Sequence, residues 1–166
     1  MRITMVFIAC LVLTGVSACK APAETKAAAA VGLGENFERG ILVIEVDDGT
    51  QLEFDIYLAV DFEQQRRGLM FVRELPERSG MLFIYDENDI QTMWMKNTYI
   101  SLDLVFIRGD GTVASVIHDA QPLSLQTLSS TEPVSFVLEL NAGATRRYNI
   151  GRGSKISWES VDAGGN

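Results

Sequence analysis

The stretch that decides the fold is WMKNT at Trp94–Thr98, which continues into ISLDLVFI at Ile100–Ile107. The second half is an apolar run typical of a buried β-strand, and Asp103 interrupts it. Because side chains alternate along a strand, one face would carry Ser101, Asp103 and Val105, and the other Leu102, Leu104 and Phe106. A polar group inside a core-forming strand needs a hydrogen-bond partner or a function. The stretch therefore predicts both a core strand and a candidate site.

Outward from this stretch, the chain alternates short β-type segments with turn signals. Asp48-Gly49 is a hairpin signal after the apolar segment 41–46. The strand that follows alternates, with one face formed by Leu52, Phe54, Ile56 and Leu58. Asp61 and Gln64 are spaced as a capping box for a short helix that ends near Gly68.

Further strands are predicted at 80–85, 112–117, 134–140 and 155–161. Segments 91–96 and 99–107 are predicted to form a hairpin, 119–133 a polar loop, and Asn141 the cap of a short helix. The spacing predicts a mostly β fold: a compact antiparallel barrel- or sandwich-like domain of about eight short strands with one or two short helices.

The N-terminus carries the features of a targeting segment. Residues 1–18 are predicted to be a signal peptide, with Arg2 followed by an apolar run that is short for a membrane span. The run ends in Val16-Ser17-Ala18-Cys19, which resembles the bacterial lipobox, in which Cys19 would be lipidated. Cleavage after Ala18 by the ordinary secretory route also fits. Export to the periplasm is expected in either case.

The predicted domain boundaries follow from this assignment. Residues 19–37 are expected to be a flexible tether, 38–161 a single β-rich domain and 162–166 a tail. The lipid at Cys19 would hold the protein on a membrane, and Lys20 in place of an Asp retention signal favours the outer membrane. The two cysteines are Cys10 and Cys19, so the domain has no disulfide, thiol nucleophile or Cys-based zinc site.

Composition limits the function classes. The chain has 166 residues, 47% of them apolar, which suits one domain with a packed core. Its net charge is -8 and its basic residues are scattered, which argues against nucleic acid as a partner. No Gly-x-Ser-x-Gly motif is present, and a single histidine cannot form a histidine-based zinc site. No cofactor is expected.

Six polar residues form the candidate ligand-binding set: Arg67, Lys96, Asn97, Asp103, Glu139 and Asn141. Asp103 and Glu139 would lie on one surface if their strands are neighbours. Two carboxylates near a Lys and an Arg could bind a polar ligand, or act as an acid–base pair in a hydrolase. A solvated sheet face with cross-strand ion pairs explains the same pattern without any site.

The methionines give a third possibility. Met93 and Met95 are two residues apart, so their thioethers would face one side of a strand, and His118 is the only imidazole. Thioether and imidazole ligands suit Cu(I), so these three residues are an alternative metal site. Core filling by methionine accounts for the same spacing without a metal.

Five motifs in order resemble the domain-of-unknown-function family numbered 192: Arg67-Gly68-Leu69-Met70, Gly80-Met81-Leu82-Phe83, Trp94-Met95-Lys96-Asn97-Thr98, Leu102-Asp103 and Leu138-Glu139-Leu140-Asn141-Ala142-Gly143. The resemblance covers about residues 40–160. It implies a small, often exported bacterial or archaeal protein with a compact β-rich fold, and it implies no activity, cofactor or catalytic residue. The function predicted first is a non-catalytic binding module for a small polar ligand or envelope component.

Overall fold

A computed structural model describes residues 33–161. The predicted signal peptide, Cys19, most of the tether and the predicted tail lie outside the described residues. Nine strands and two short helices follow one another: β1 Glu38–Glu45, β2 Gln51–Ala59, α1 Phe62–Arg67, β3 Ser79–Asp89, β4 Thr92–Met93, β5 Leu102–Ile107, β6 Val113–Ala120, β7 Leu128–Ser129, β8 Val134–Asn141, α2 Ala144–Arg147 and β9 Lys155–Ser160. The mostly β prediction is confirmed, with one strand more than expected.

Seven strands form one sheet in the order β6-β5-β8-β3-β2-β1-β9, while β4 and β7 form a separate pair. Neighbouring strands are antiparallel except β2 and β3, which are parallel because α1 and the segment after it return the chain to the same end. Within the described residues no strand pairing joins β6 to β9, and the two sheet ends meet at the isolated Thr112–Lys155 bridge and the few backbone bonds around it. The architecture is therefore sandwich-like, and the closed-barrel alternative is wrong.

Gly111 permits this close approach of the two ends. Its φ is +78°, and a Cβ placed there would lie 2.5 Å from the carbonyl oxygen of Ile156. The Ile156 N–H donates to the Gly111 carbonyl at 2.8 Å. A side chain at position 111 would force these backbones apart.

Both faces of the large sheet are buried, each against different elements. The α2 face includes Val105 and Leu138 and packs with Ala144 of α2. The loop face includes Leu104 and Met81 and packs with Met93 of β4 and with the irregular segments that contain Leu69, Val72 and Met95. Leu33 and Phe37 are also buried on the loop face, so packing begins inside the segment predicted to be tether.

The predicted start and end of α1 are confirmed, whereas the predicted hairpin in the central stretch and the predicted cap of α2 are wrong. Asp61 and Gln64 form the predicted capping box, and Gly68 ends α1. The predicted hairpin of 91–96 with 99–107 is wrong, because β4 covers only Thr92–Met93 and pairs with β7. Residues 94–101 are irregular, and their backbone groups bond to neighbouring loops instead. Asn141 does not cap α2, whose N-cap is Gly143.

Candidate functional site

Asp103 lies on the α2 face, completely buried and surrounded by donors. One carboxylate oxygen accepts from the Asp119 N–H at 3.0 Å, and the other from the Thr145 N–H at 3.0 Å and the Thr145 hydroxyl. Burial alone would raise the pKa of Asp103, but these hydrogen bonds, with a further backbone contribution at Gly143, outweigh it and the pKa is lowered. Asp103 thus joins β5 to β6 and α2 as an ionised structural group.

Glu139 lies on the opposite face of the sheet. Its register partners are Met81 of β3 and Leu104 of β5, both part of the loop-face core. The residue is 4% exposed, and its Oε2 has no hydrogen-bond partner within residues 33–161. Burial raises the pKa of Glu139 to about 8. Burial and then the charge of Glu139 raise the pKa of Tyr85, so these two groups lie within electrostatic reach of each other.

The strand register overturns the predicted carboxylate pair. β5 and β8 are neighbours as the prediction required, but Asp103 is the partner of Leu140 and Leu104 is the partner of Glu139. Adjacent positions point to opposite faces, so the two carboxyl groups are separated by the sheet. They do not form the shared surface that the hydrolase hypothesis needs.

The predicted copper ligands are also divided. Met93 and Met95 are buried on the loop face, and Met93 Sδ accepts from the Tyr85 hydroxyl at 3.3 Å. His118 Nδ1 lies 2.9 Å from the Thr145 hydroxyl, beside Asp103 on the α2 face. The residues 33–161 contain no group of three His, Cys, Asp or Glu side chains placed to hold a metal ion. The site of Met93, Met95 and His118 is therefore not assembled.

The Asn141 side chain is used for hydrogen bonds that connect two parts of the fold. Its amide nitrogen donates to the carbonyls of Leu75 and Pro76 at 2.9 and 3.1 Å. These bonds hold the segment after α1 against the end of β8. Of the six predicted site residues, Arg67, Lys96 and Asn97 remain, and they come together with residues that the sequence did not identify.

Three segments form what we call the three-loop surface: residues 67–73, 94–99 and 121–125. They are irregular apart from Arg67, which ends α1. The Phe71 N–H donates to the Asn97 carbonyl at 2.8 Å, which joins the first segment to the second. Bonds of 3.1 Å from the Met95 N–H to the Ser124 carbonyl, and from the Leu123 N–H to the Thr98 carbonyl, join the second to the third. Met95 and Thr98 are buried and fix the middle segment to the domain.

Each of the three segments contains one non-glycine residue with a positive φ. These are Phe71 at +68°, Asn97 at +56° and Leu123 at +61°. Asn tolerates this conformation, whereas bulky Phe and Leu side chains rarely adopt it. Backbone strain of this kind, worth about 1–3 kcal/mol per residue, is found preferentially at functional sites.

The surface exposes large apolar side chains. Residues 33–161 have nine exposed large apolar side chains, and five of them belong to these three segments: Phe71, Trp94, Tyr99, Leu123 and Leu125. Leu125 is 69% exposed and Leu123 is 58% exposed, so neither contributes to a core. The rings of Phe71 and Tyr99 meet edge to face with centroids 6.2 Å apart. Several exposed large apolar side chains on adjoining loops are typical of an interaction site.

The cations of the surface have no acidic partner. Seven of the eleven Lys and Arg side chains in residues 33–161 form ion pairs, and the four that do not are Arg67, Arg73, Arg78 and Lys96. Three of these four belong to the three-loop surface. Lys96 Nζ lies 5.0 Å from the centroid of the Trp94 ring, and the Arg73 guanidinium lies 4.9 Å from that of Tyr99. Their charges remain available to an anionic partner.

A groove adjoins the surface where Arg67 lies. Its volume is about 470 Å³, and its lining includes Phe37, Arg67, Met70 and Phe71. The Asn97 amide nitrogen lies 3.8 Å from Met70 Sδ, so the turn supports one wall of the groove. Asn97 therefore has a positioning role, with its carbonyl bound to Phe71 and its side chain directed to Met70.

The sequence prediction missed Phe71, Arg73, Tyr99, Leu123 and Leu125. The detectable signal was in Pro122-Leu123-Ser124-Leu125, where two leucines occur inside a segment that was otherwise polar. Tyr99 was assigned to a strand, which hid its exposure. None of the helices in residues 33–161 is long and apolar enough to cross a bilayer.

Comparison with known proteins agrees with this fold. A crystal structure from Sinorhizobium meliloti 1021, described as a candidate transcription regulator, is similar at a TM-score of 0.72 and 37% identity, covering 74% of this chain and 95% of that one. Another, a protein of unknown function from Novosphingobium aromaticivorans DSM 12444, has a TM-score of 0.69 and 34% identity, covering 71% of this chain and 84% of that one. No curated protein matches.

The model of the DUF192 family, described as Uncharacterized ACR, matches residues 43–158. The matched region runs from β1 into β9 and contains all three segments of the three-loop surface, together with Asp103 and Glu139. The chain belongs to the DUF192 family, as the five sequence motifs predicted.

Proposed function

We propose that the protein is an exported lipoprotein whose domain is a non-catalytic binding module for an envelope component, which it contacts through the three-loop surface. One observation carries the proposal: three hydrogen-bonded loops together expose five large apolar side chains and leave three cations without an acidic partner. Aromatic residues and Arg are enriched in the binding surfaces of proteins.

The environments of the two buried carboxyl groups support a role without catalysis. Asp103 is saturated with hydrogen bonds, and Glu139 is enclosed on the other face of the sheet. Neither adjoins the exposed loops as a free acid or base. The exposed, open character of the loops also favours a large partner over a small polar ligand, which usually binds in an enclosed pocket.

A DNA partner, suggested by the description of the Sinorhizobium protein, is disfavoured. The chain carries a net charge of -8, whereas nucleic-acid binding requires a basic surface that neutralises several phosphates. Arg67, Arg73 and Lys96 are accompanied by exposed apolar side chains instead of further cations. This mixture suits a partner with both apolar and anionic parts.

The export and anchoring part of the proposal rests on the sequence Val16-Ser17-Ala18-Cys19. Metabolic labelling with an alkyne fatty acid should modify the protein, and Cys19→Ala should abolish the label. A labelled Cys19→Ala protein, or an unlabelled native protein, would remove the lipoprotein assignment.

The binding part is tested by photo-crosslinking in the producing cells. A photoreactive residue in place of Leu125 should give an adduct, and the same residue in place of Ile90 should not. Ile90 is a matched control because it is an exposed aliphatic residue, 46% accessible, outside the three-loop surface. Equal adduct yields at both positions, or none at 125, would contradict a binding role for this surface.

A further inference from the structure

We infer that the envelope component is the anionic bilayer itself, and that the three-loop surface docks onto phospholipid headgroups. This inference rests on the proposed function, because it identifies the partner of the same surface. It follows from three separate features: the residue types on the loops, the sign of their charge, and the place where the chain enters the domain.

The residue types are those of a membrane interface. Trp94 and Tyr99 have amphipathic rings of the kind enriched at the headgroup level of bilayers, and Leu123 and Leu125 are exposed aliphatic side chains that can enter the acyl boundary. The third loop, residues 121–125, contains no buried residue, so its leucines have no role in packing the domain. Burial in lipid gives both leucines an apolar environment.

The charge of the surface is opposite to that of the chain. Among residues 33–161, Arg67, Arg73 and Lys96 form no ion pair, in a protein with a net charge of -8. Of the nearby acids, Glu63 is bound to Arg66 and Asp61 caps α1, which leaves the exposed Glu74 beside Arg73. Each basic residue near an anionic leaflet contributes about 1 kcal/mol. Three unpaired cations therefore orient this face toward anionic lipid.

The chain enters the folded domain beside the three-loop surface. Asn36 and Phe37 line the groove together with Arg67 and Phe71, so the tether joins the domain beside the three-loop surface. Cys19 precedes Leu33 by 14 residues, and a flexible chain of that length would span roughly 20 Å. A lipid at Cys19 would hold the loops close to the bilayer at a high effective concentration, so weak individual contacts would suffice.

The test reconstitutes the mature lipidated protein, which begins at Cys19, into phosphatidylcholine vesicles with or without phosphatidylglycerol, each containing brominated lipid as a quencher. Trp94 emission should be quenched strongly in the anionic vesicles and weakly in the neutral ones. Trp158 is half-buried with its ring 4.7 Å from that of Phe136, and a Trp94→Phe variant measures its background. Added salt should reduce the quenching because it screens the cations.

Two variants test the residues themselves. Lys96→Gln should lower the equilibrium constant for docking, measured by Trp94 quenching, about fivefold. Leu125→Ser should lower it roughly tenfold. The matched controls Lys155→Gln and Ile90→Ser should leave it unchanged, since both residues are exposed outside the three-loop surface.

The outcomes separate this inference from the proposed function. Weak Trp94 quenching in both vesicles, with a crosslinked non-lipid adduct at position 125, would overturn the bilayer as partner and leave the binding module intact. Weak quenching with no adduct would overturn both. Strong quenching that survives the Lys96→Gln and Leu125→Ser substitutions would show contact through some other surface, and would also overturn the inference.

Discussion

The two halves of the stretch from Trp94 to Ile107 use their polar groups in opposite ways. In the second half, Asp103 is buried and accepts hydrogen bonds from β6 and α2. In the first half, Lys96 lies over an exposed Trp94 and has no acidic partner in the described part of the chain. A polar residue that breaks an apolar pattern can thus hold the fold or face a partner, and its hydrogen-bond partners decide between the two.

The largest expected effect on stability comes from removing the Asp103 carboxylate in the second half of the stretch. Asp103→Ala should destabilise the domain by about 3–5 kcal/mol, because it leaves two backbone N–H groups and the Thr145 hydroxyl without a buried acceptor. Urea unfolding measures the loss. Asp55→Ala is the control, since its carboxylate is half-exposed and its ion pair with Arg39 spans 3.7 Å. An Asp103→Ala loss no larger than that of the control would show that the network does not hold the fold.

The next prediction concerns Glu139, which is buried like Asp103 but has an unpartnered oxygen. Its pKa rises from 4.5 to about 8 on folding, so the folded protein keeps a proton that the unfolded chain releases. The resulting stability is complete below pH 4.5 and is lost as the pH rises through about 8. Glu139→Gln removes this titration, so its stability relative to the native protein should increase by about 2–4 kcal/mol from pH 5 to pH 9.

Urea unfolding of both proteins at several pH values measures that difference. A constant difference across the range would mean that Glu139 is ionised in the folded protein. For Asp103 we expect stability to depend on pH in the opposite direction, because folding lowers its pKa. Its contribution to stability is lost only as the pH falls below the ordinary pKa range of Asp.

The smallest effects on stability are expected on the three-loop surface. Lys96→Gln and Leu125→Ser should each change the free energy of unfolding by less than about 0.5 kcal/mol, because both side chains are exposed and neither has a packed partner in the core. Thermal and urea unfolding measure this. A loss of several kcal/mol from either substitution would show that these side chains stabilise the domain as Asp103 does, and would remove the contrast between the two halves.

Much of the fold was predictable because hydrophobic alternation and turn residues act locally. The alternating strand at Leu52–Leu58 and the capping box at Asp61 are examples, since each depends on side chains a few residues apart. The relation between Asp103 and Glu139 was not predictable, because it depends on the register of two strands about 35 residues apart in sequence. A shift of one position would have placed both carboxyl groups on one face.

The candidate site was predicted only in part for the same reason. Arg67, Lys96 and Asn97 are identified from motifs, but their segments meet through the Phe71–Asn97 backbone bond. The loop at 121–125 is held against the Lys96 segment by the Met95–Ser124 and Thr98–Leu123 backbone bonds. Backbone bonds between loops leave no sequence pattern. The positive φ values of Phe71 and Leu123 were equally hidden, since these residue types do not signal that conformation.

We propose that the three-loop surface serves binding and not stability. The most direct measurement is the yield of the crosslinked adduct from a photoreactive residue at position 123 in a Lys96→Gln, Leu125→Ser double variant, alongside its free energy of unfolding. We expect a yield reduced at least about tenfold with an unchanged free energy of unfolding, and a native yield in the Lys155→Gln, Ile90→Ser control. A native yield in the double variant would contradict it.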